Sequence, residues 1–301
     1  MGYRDWDDRD WGSFSKTHVS GKGSADKIYT SHKMKDEFNP FKVVRESCDS
    51  ENHPNSTPII LGLDVTGSMG RILTVMAEKI GLVMSEIYKR NPVTDPQILF
   101  AAIGDSTCDD YPLQVTQFEA DISIAEQLTD IYFERGGGGN NFESYPLAWY
   151  FAARHTKTDN YDKRGKKGYL FTFGDDGLPN KLTFREIREI FGDDVEDDIS
   201  TKDILTEVNR KFEVYHFCME QGGTYTESDY RRWQEYIGER AIKVKDYSKI
   251  PEIIVSILEA MGGKDKDEII KSWDGTTAVA VANALSGISI NKTSNNDLVE
   301  F

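Results

Sequence analysis

Four apolar runs, spaced along one chain and separated by segments of helical period, constrain this fold more than any other feature. "IILGLD" (59–64), "QILFAAIGD" (97–105), "GYLFTFG" (168–174) and "FEVYHFCM" (212–219) are continuous rather than alternating. Strands of that kind are buried on both faces. Between them "GRILTVMAEKIGLVMSEIYKR" places Ile72, Met76, Ile80, Val83 and Ile87 on one helical stripe, and further helical stretches fall at 121–133, 183–191, 200–211, 227–238 and 250–262. "LQVTQF" (113–118) alternates, as an edge strand would, and "AIKVKD" (241–246) reads as a short strand. Alternation of buried strand and helix predicts an α/β fold: a doubly wound, mainly parallel sheet with helices on both faces. No internal repeat is visible.

Residues 1–57 form an N-terminal arm, polar and rich in turns but dotted with Trp6, Trp11, Phe14, Tyr29, Phe38 and Phe41, as a segment lying on the main domain or on a partner would be. Residues 58–262 are read as the domain, and 263–301 as a C-terminal tail. "DWDDRD" near the start lacks the glycine and closing glutamate of an EF-hand loop, so a solvated turn is the simpler reading.

At 301 residues, 38% of them hydrophobic, the chain can bury a sizeable core. Its net charge of -15 repels phosphate backbones and anionic lipid, so neither nucleic acid nor membrane is an expected partner. Cys48, Cys108 and Cys218 form no CxxC pair and read as free thiols. No apolar h-region opens the chain and no run approaches a membrane span, which gives a cytoplasmic protein as the expectation. The five histidines are scattered without zinc-ligand spacing. The run "GDDVEDDIS" reads as a solvated acidic loop, and "RHTKTDNYDKRGKKG" as a basic stretch that is either solvated or a docking patch.

Open parallel sheets bind ligands outside the carboxyl ends of their strands. Three oxygen-rich segments fall there. "DVTGSMG" follows the first strand with Asp64, Thr66 and Ser68; "GGGGNNFES" precedes a helix with Asn140, Asn141 and Glu143; "GDDG" follows a later strand with Asp175 and Asp176. Hard oxygen donors suit Mg2+, Mn2+ or Ca2+ rather than zinc. A plainer reading has Thr66 and Ser68 capping the first helix.

These motifs carry a resemblance. "DVTGS" resembles the D-x-[ST]-x-S signature of the von Willebrand factor type A (vWA) domain, whose metal-ion-dependent adhesion site opens with those residues. "GGGGNNFES" is similar to a GGGDxPE variant of its second loop, placing Asn140 at the usual threonine or aspartate and Glu143 at the glutamate. "YLFTFGDDGLP" matches the last motif, with strand counting favouring Asp175 and the DGxP spelling favouring Asp176. The resemblance covers 58 to about 262. It implies a Mg2+ (or Mn2+/Ca2+) site of Asp64, Thr66, Ser68, Asn140, Asp175 and Asp176. It also implies a protein ligand that offers an Asp or Glu to the metal, and company with an AAA+ ATPase or a multi-subunit assembly; on this reading the chain is not an enzyme. Two rivals stand beside it. One is a structural or assembly subunit that uses the fold as a scaffold and the arm as its contact. The other is a phosphatase of haloacid dehalogenase type, whose DKTGT loop "DVTGS" resembles, with Asp64 as nucleophile and Lys166 or Lys167 as its later lysine.

Overall fold

The computed structural model describes residues 5–136, 142–221 and 223–289. Helix α1 (Asp8–His18) lies in the arm, and Asp7, within "DWDDRD", caps it by accepting the Arg9 N–H. The first central strand, β1 (Thr57–Asp64), is buried at every position. It feeds helix α2 (Gly70–Arg90). Then come β2 (Pro96–Ile103), β3 (Leu113–Val115), α3 (Ser123–Asp130) and α4 (Tyr145–Arg154). The chain continues through β4 (Gly168–Gly174), α5 (Phe184–Phe191), α6 (Thr201–Val208) and β5 (Phe212–Met219). It closes with α7 (Glu227–Ile237), β6 (Ala241–Val244), α8 (Ile250–Met261), α9 (Lys266–Lys271) and α10 (Gly275–Leu285).

The six strands form one sheet in the order β6-β5-β4-β1-β2-β3. All neighbours are parallel except β2 and β3, the antiparallel edge pair. With helices on both faces this is a doubly wound, vWA/Rossmann-like α/β fold, as the sequence predicts. Side chains alternate strictly across it. Ile59, Leu61 and Leu63 of β1 face α2, α3 and α8, whereas Ile60 faces α4. The sheet therefore has two cores, and the continuous apolar runs are the price of filling both.

Helix α2 buries more than the stripe read from the sequence: Leu73, Ala77, Gly81 and Met84 are buried too. The arm accounts for this. Trp11 and Phe14 of α1 pack on the same core, and Tyr29 and Phe38 are each 1% exposed within it. Burying a large side chain of this kind contributes about 1.5–3 kcal/mol. Beyond α8, helices α9 and α10 return to the body, with Ile269, Val281 and Leu285 in the core. No helix among the described residues is long and apolar enough to cross a membrane.

Candidate functional site

Leaving β1, the chain runs to α2, and leaving β4, it runs to helices on the opposite face. The carboxyl ends of these two adjacent strands are thus the point where the winding reverses and a crevice opens. Asp64 is the last residue of β1 and Asp175 the first after β4. Both are buried, at 0% and 2% exposure.

Asp64 accepts three hydrogen bonds. Thr66 donates its N–H (2.9 Å) and its hydroxyl (2.6 Å) to Oδ1, and Tyr145 donates its phenol to Oδ2 (3.0 Å). Ser68 donates to Asp175 Oδ1 at 3.1 Å, and its Oγ lies 3.4 Å from Thr66 Oγ1. Asp175 Oδ2 accepts the Thr224 N–H at 3.0 Å. Four oxygens from two strand ends thus form one connected row. The capping alternative fails here: neither the 3-10 turn Gly67–Met69 nor α2 receives a side-chain cap, so both hydroxyls are turned toward carboxylates.

The strand register separates the two candidate aspartates. Asp175 meets Ser68, whereas the main-chain carbonyl of Asp176 accepts the Trp233 indole N–H at 3.0 Å. Among the described residues, Asp176 Oδ1 is buried without a hydrogen-bond partner, as is Glu143 Oε2. Asn140, expected in the second loop, and Asn141 lie outside the described residues. Glu143 is 4% exposed and starts the turn into α4, its N–H bonded to the Gly177 carbonyl at 3.2 Å.

Burial and like charges set the electrostatics. Burial and then the charge of Asp175 push the Asp64 carboxyl upward, against the bonds from Thr66 and Tyr145. Burial and then Asp64, Asp105, Asp109 and Asp176 push Glu143 up as well. Asp176 is raised to about 6 by burial and then Asp175. Among the described residues no group of three or more His, Cys, Asp and Glu side chains converges as a metal cluster. The set at the crevice is of another kind, two carboxylates and two hydroxyls.

Sequence reasoning missed two participants. Tyr145 reaches Asp64 from α4 because the place a side chain at Gly174 would occupy is filled by the tyrosine hydroxyl. Its ring is held edge-on against His216 (5.0 Å) and Trp233 (5.1 Å), and those two stack at 3.5 Å. Asp105, after β2, repeats the Asp64 turn one strand over: Thr107 donates its N–H and hydroxyl to Asp105 Oδ1, each at 2.8 Å. A D-x-T string after a second buried strand was the available signal.

Other sequence candidates resolve into structural roles. His155 bonds the Val43 carbonyl and Asp193, and Asp193 also accepts from Tyr150. In the basic stretch, Arg154 pairs with Glu207, Lys163 with Asp159 and Lys167 with Glu213. Lys166 and Lys167 precede β4, at the opposite edge of the sheet from Asp64.

No family model and no curated protein matches the chain. Among solved structures it is similar to the pilus adhesin SpaC from Lactobacillus rhamnosus GG in its open conformation, at 12% identity over 76% of this chain and 31% of that one, TM-score 0.46. It is also similar to an aerotolerance-related membrane protein from Bacteroides fragilis, at 14% identity over 68% of this chain and 100% of that one, TM-score 0.39. A third is the conserved hypothetical protein BatB from Bacteroides thetaiotaomicron, at 12% identity over 69% of this chain and 100% of that one, TM-score 0.40. The chain matches about a third of the adhesin's length. The fold assignment rests on the strand order itself.

Proposed function

We propose that the chain is a metal-dependent protein-binding module, in which a divalent cation at the β1/β4 crevice recognises a carboxylate of a partner. The observation that carries this is the connected row Asp64 Oδ1, Thr66 Oγ1, Ser68 Oγ and Asp175 Oδ1, with successive separations of 2.6, 3.4 and 3.1 Å. A six-coordinate Mg2+ with bonds near 2.1 Å sets adjacent ligand oxygens about 3 Å apart, so the donor set suits such an ion. The carboxyls pushed upward by burial and then by the charge of Asp175 are a second support, because a cation would offset that charge.

Asp64, Thr66, Ser68 and Asp175 would hold the ion, with Asp176, Glu143 and the second-loop Asn140 beside them. When bound, the ion would supply an electrophilic centre for an incoming Asp or Glu. Two of the four donors are neutral hydroxyls, so more of its charge would remain to attract that group than in a site of carboxylates alone. Tyr145 and the Thr66 N–H orient Asp64, and the Thr224 N–H orients Asp175.

A binding module accounts for the site better than a phosphatase. Asp64 has both oxygens engaged and no exposure, whereas a nucleophile must reach its substrate. The test is retention of partner proteins on the immobilised chain in Mg2+ and in chelator. Retention that needs Mg2+, is lost in Asp64→Asn and is competed by an acidic peptide is the expected result. Retention indifferent to chelator would favour a scaffold, and Mg2+-dependent hydrolysis of an aryl phosphate lost in Asp64→Asn would favour the enzyme.

A further inference from the structure

The N-terminal arm reaches the metal motif through the Arg135 side chain. Arg135 has a left-handed backbone, φ 59°, which a residue with a side chain adopts only when its surroundings hold it there. Its guanidinium is gripped by the arm turn Ala25–Ile28 and the residue that follows it. Nε donates to Asp26 Oδ1 at 2.6 Å and Nη2 to the Tyr29 carbonyl at 3.3 Å. Nη1 folds back onto the Phe133 carbonyl at 3.0 Å, and the group lies over the Phe133 ring at 5.4 Å. Tyr29 is fixed in turn, its hydroxyl donating to the Leu73 carbonyl in α2 at 3.1 Å.

On its other side this segment is laced to the motif. The Glu134 N–H donates to the Val65 carbonyl at 3.1 Å, and the Gly67 N–H to the Gly136 carbonyl at 2.8 Å. A Cβ at residue 67 would lie 2.9 Å from the Arg135 carbonyl oxygen, so the two backbones touch where only glycine fits. Val65 and Gly67 flank Thr66, and Gly67 precedes Ser68. The backbone that aims both hydroxyls is thus braced by residues 134–136, and those are braced by the arm.

We infer that Arg135 is a positioning residue through which the N-terminal arm holds the Thr66 and Ser68 hydroxyls in register with the carboxylates, and so sets the affinity of the site for a divalent cation. The inference rests on the metal reading above. The Asp26–Arg135 pair is partly exposed, with side chains 62% and 39% accessible, so the pair by itself is worth little. The carbonyl of Tyr29 and the ring of Phe133 make the fork a fixed clamp.

The test uses the full chain with Asp26→Ala, Arg135→Gly and Arg135→Lys. Glycine accepts the positive φ, so Arg135→Gly removes the fork without new strain. Amide hydrogen exchange in chelator is expected to be about fivefold or more faster at Gly67 and Glu134 in Arg135→Gly, and less so in Asp26→Ala, with β4 amides unchanged. The Mn2+ dissociation constant is expected to rise about tenfold in Arg135→Gly and less in Arg135→Lys, which keeps the charge but not the fork. Unchanged Gly67 exchange, or Mn2+ affinity within about twofold of wild type in Arg135→Gly, overturns the inference. Wild-type chain that binds no Mn2+ while Gly67 exchange still responds overturns the metal reading and the arm's role in affinity together, leaving a purely structural brace.

Discussion

The two edges of the central sheet treat carboxylates in opposite ways. At the amino edge, before β1 and β4, Asp49 accepts from both Arg164 nitrogens (2.8 and 3.1 Å) and from the Ser56 hydroxyl (2.8 Å), with Lys163 at 3.3 Å. Burial opposes ionisation there, but the bonds from Arg164 and Ser56 outweigh it and hold Asp49 far below the ordinary carboxyl range. Nearby Glu213 lies between Lys167 and Arg240. At the carboxyl edge, the described residues give Asp64 and Asp175 only hydroxyl and amide protons, and Asp64, Asp176 and Glu143 are raised by burial and then by neighbouring carboxylates. The chain carries 36 Lys and Arg, so basic residues were available. One edge is built for stability; the other leaves a charge deficit that something outside the chain can fill.

If a cation does at the carboxyl edge what Arg164 does at the amino edge, the largest effect belongs to the metal. Mg2+ at about 100 times its dissociation constant should stabilise the chain by about 2.7 kcal/mol, seen as a melting midpoint several degrees higher than in chelator. Asp64→Asn should abolish that shift. Arg164→Ala should cost roughly 2–3 kcal/mol in urea unfolding, equally with and without Mg2+, because it strands Asp49 far from the crevice. An Arg164 effect that vanished in Mg2+ would show the two edges to be coupled and break the contrast.

Acidity should separate the edges as well. Asp176, raised from 3.8 to about 6, binds its proton more tightly folded than unfolded. Its contribution is therefore present at low pH and lost as pH climbs through about 6, and the upward shifts of Asp64 and Glu143 carry the same sign. Asp49 has the opposite sign, with stability present above about 3.8 and lost as pH falls. In chelator the protein should thus lose roughly 1–3 kcal/mol between about pH 4 and 8, and Asp176→Asn should flatten that limb of a pH series of unfolding midpoints. The smallest expected effect is that of Ser68→Ala, which removes one neutral donor and should weaken Mn2+ binding about tenfold, or ~1.4 kcal/mol.

What was legible in the sequence follows the range of the interactions. Strands buried on both faces leave continuous apolar runs, so β1, β2, β4 and β5 could be read directly, and their order with the helices predicted the architecture. Asp64, Thr66 and Ser68 lie within five residues, and a local turn brings them together. The choice between Asp175 and Asp176 depends on where β4 ends against β1, which no spelling of "GDDG" encodes. Tyr145 is 81 residues from Asp64 and reaches it only because α4 docks beside a glycine in β4. The arm's aromatics signalled burial, but not that the turn Ala25–Ile28 among them would grip Arg135.

We propose that the carboxyl edge is a divalent-cation site built from Asp64, Thr66, Ser68 and Asp175. Calorimetric titration of the metal-free chain with Mn2+ tests it most directly. The expected result is one ion per chain in wild type and in Arg164→Ala, with binding lost in both Asp64→Asn and Asp175→Asn. Wild-type chain that takes up no ion, or Asp64→Asn and Asp175→Asn chains that bind as wild type does, would contradict it.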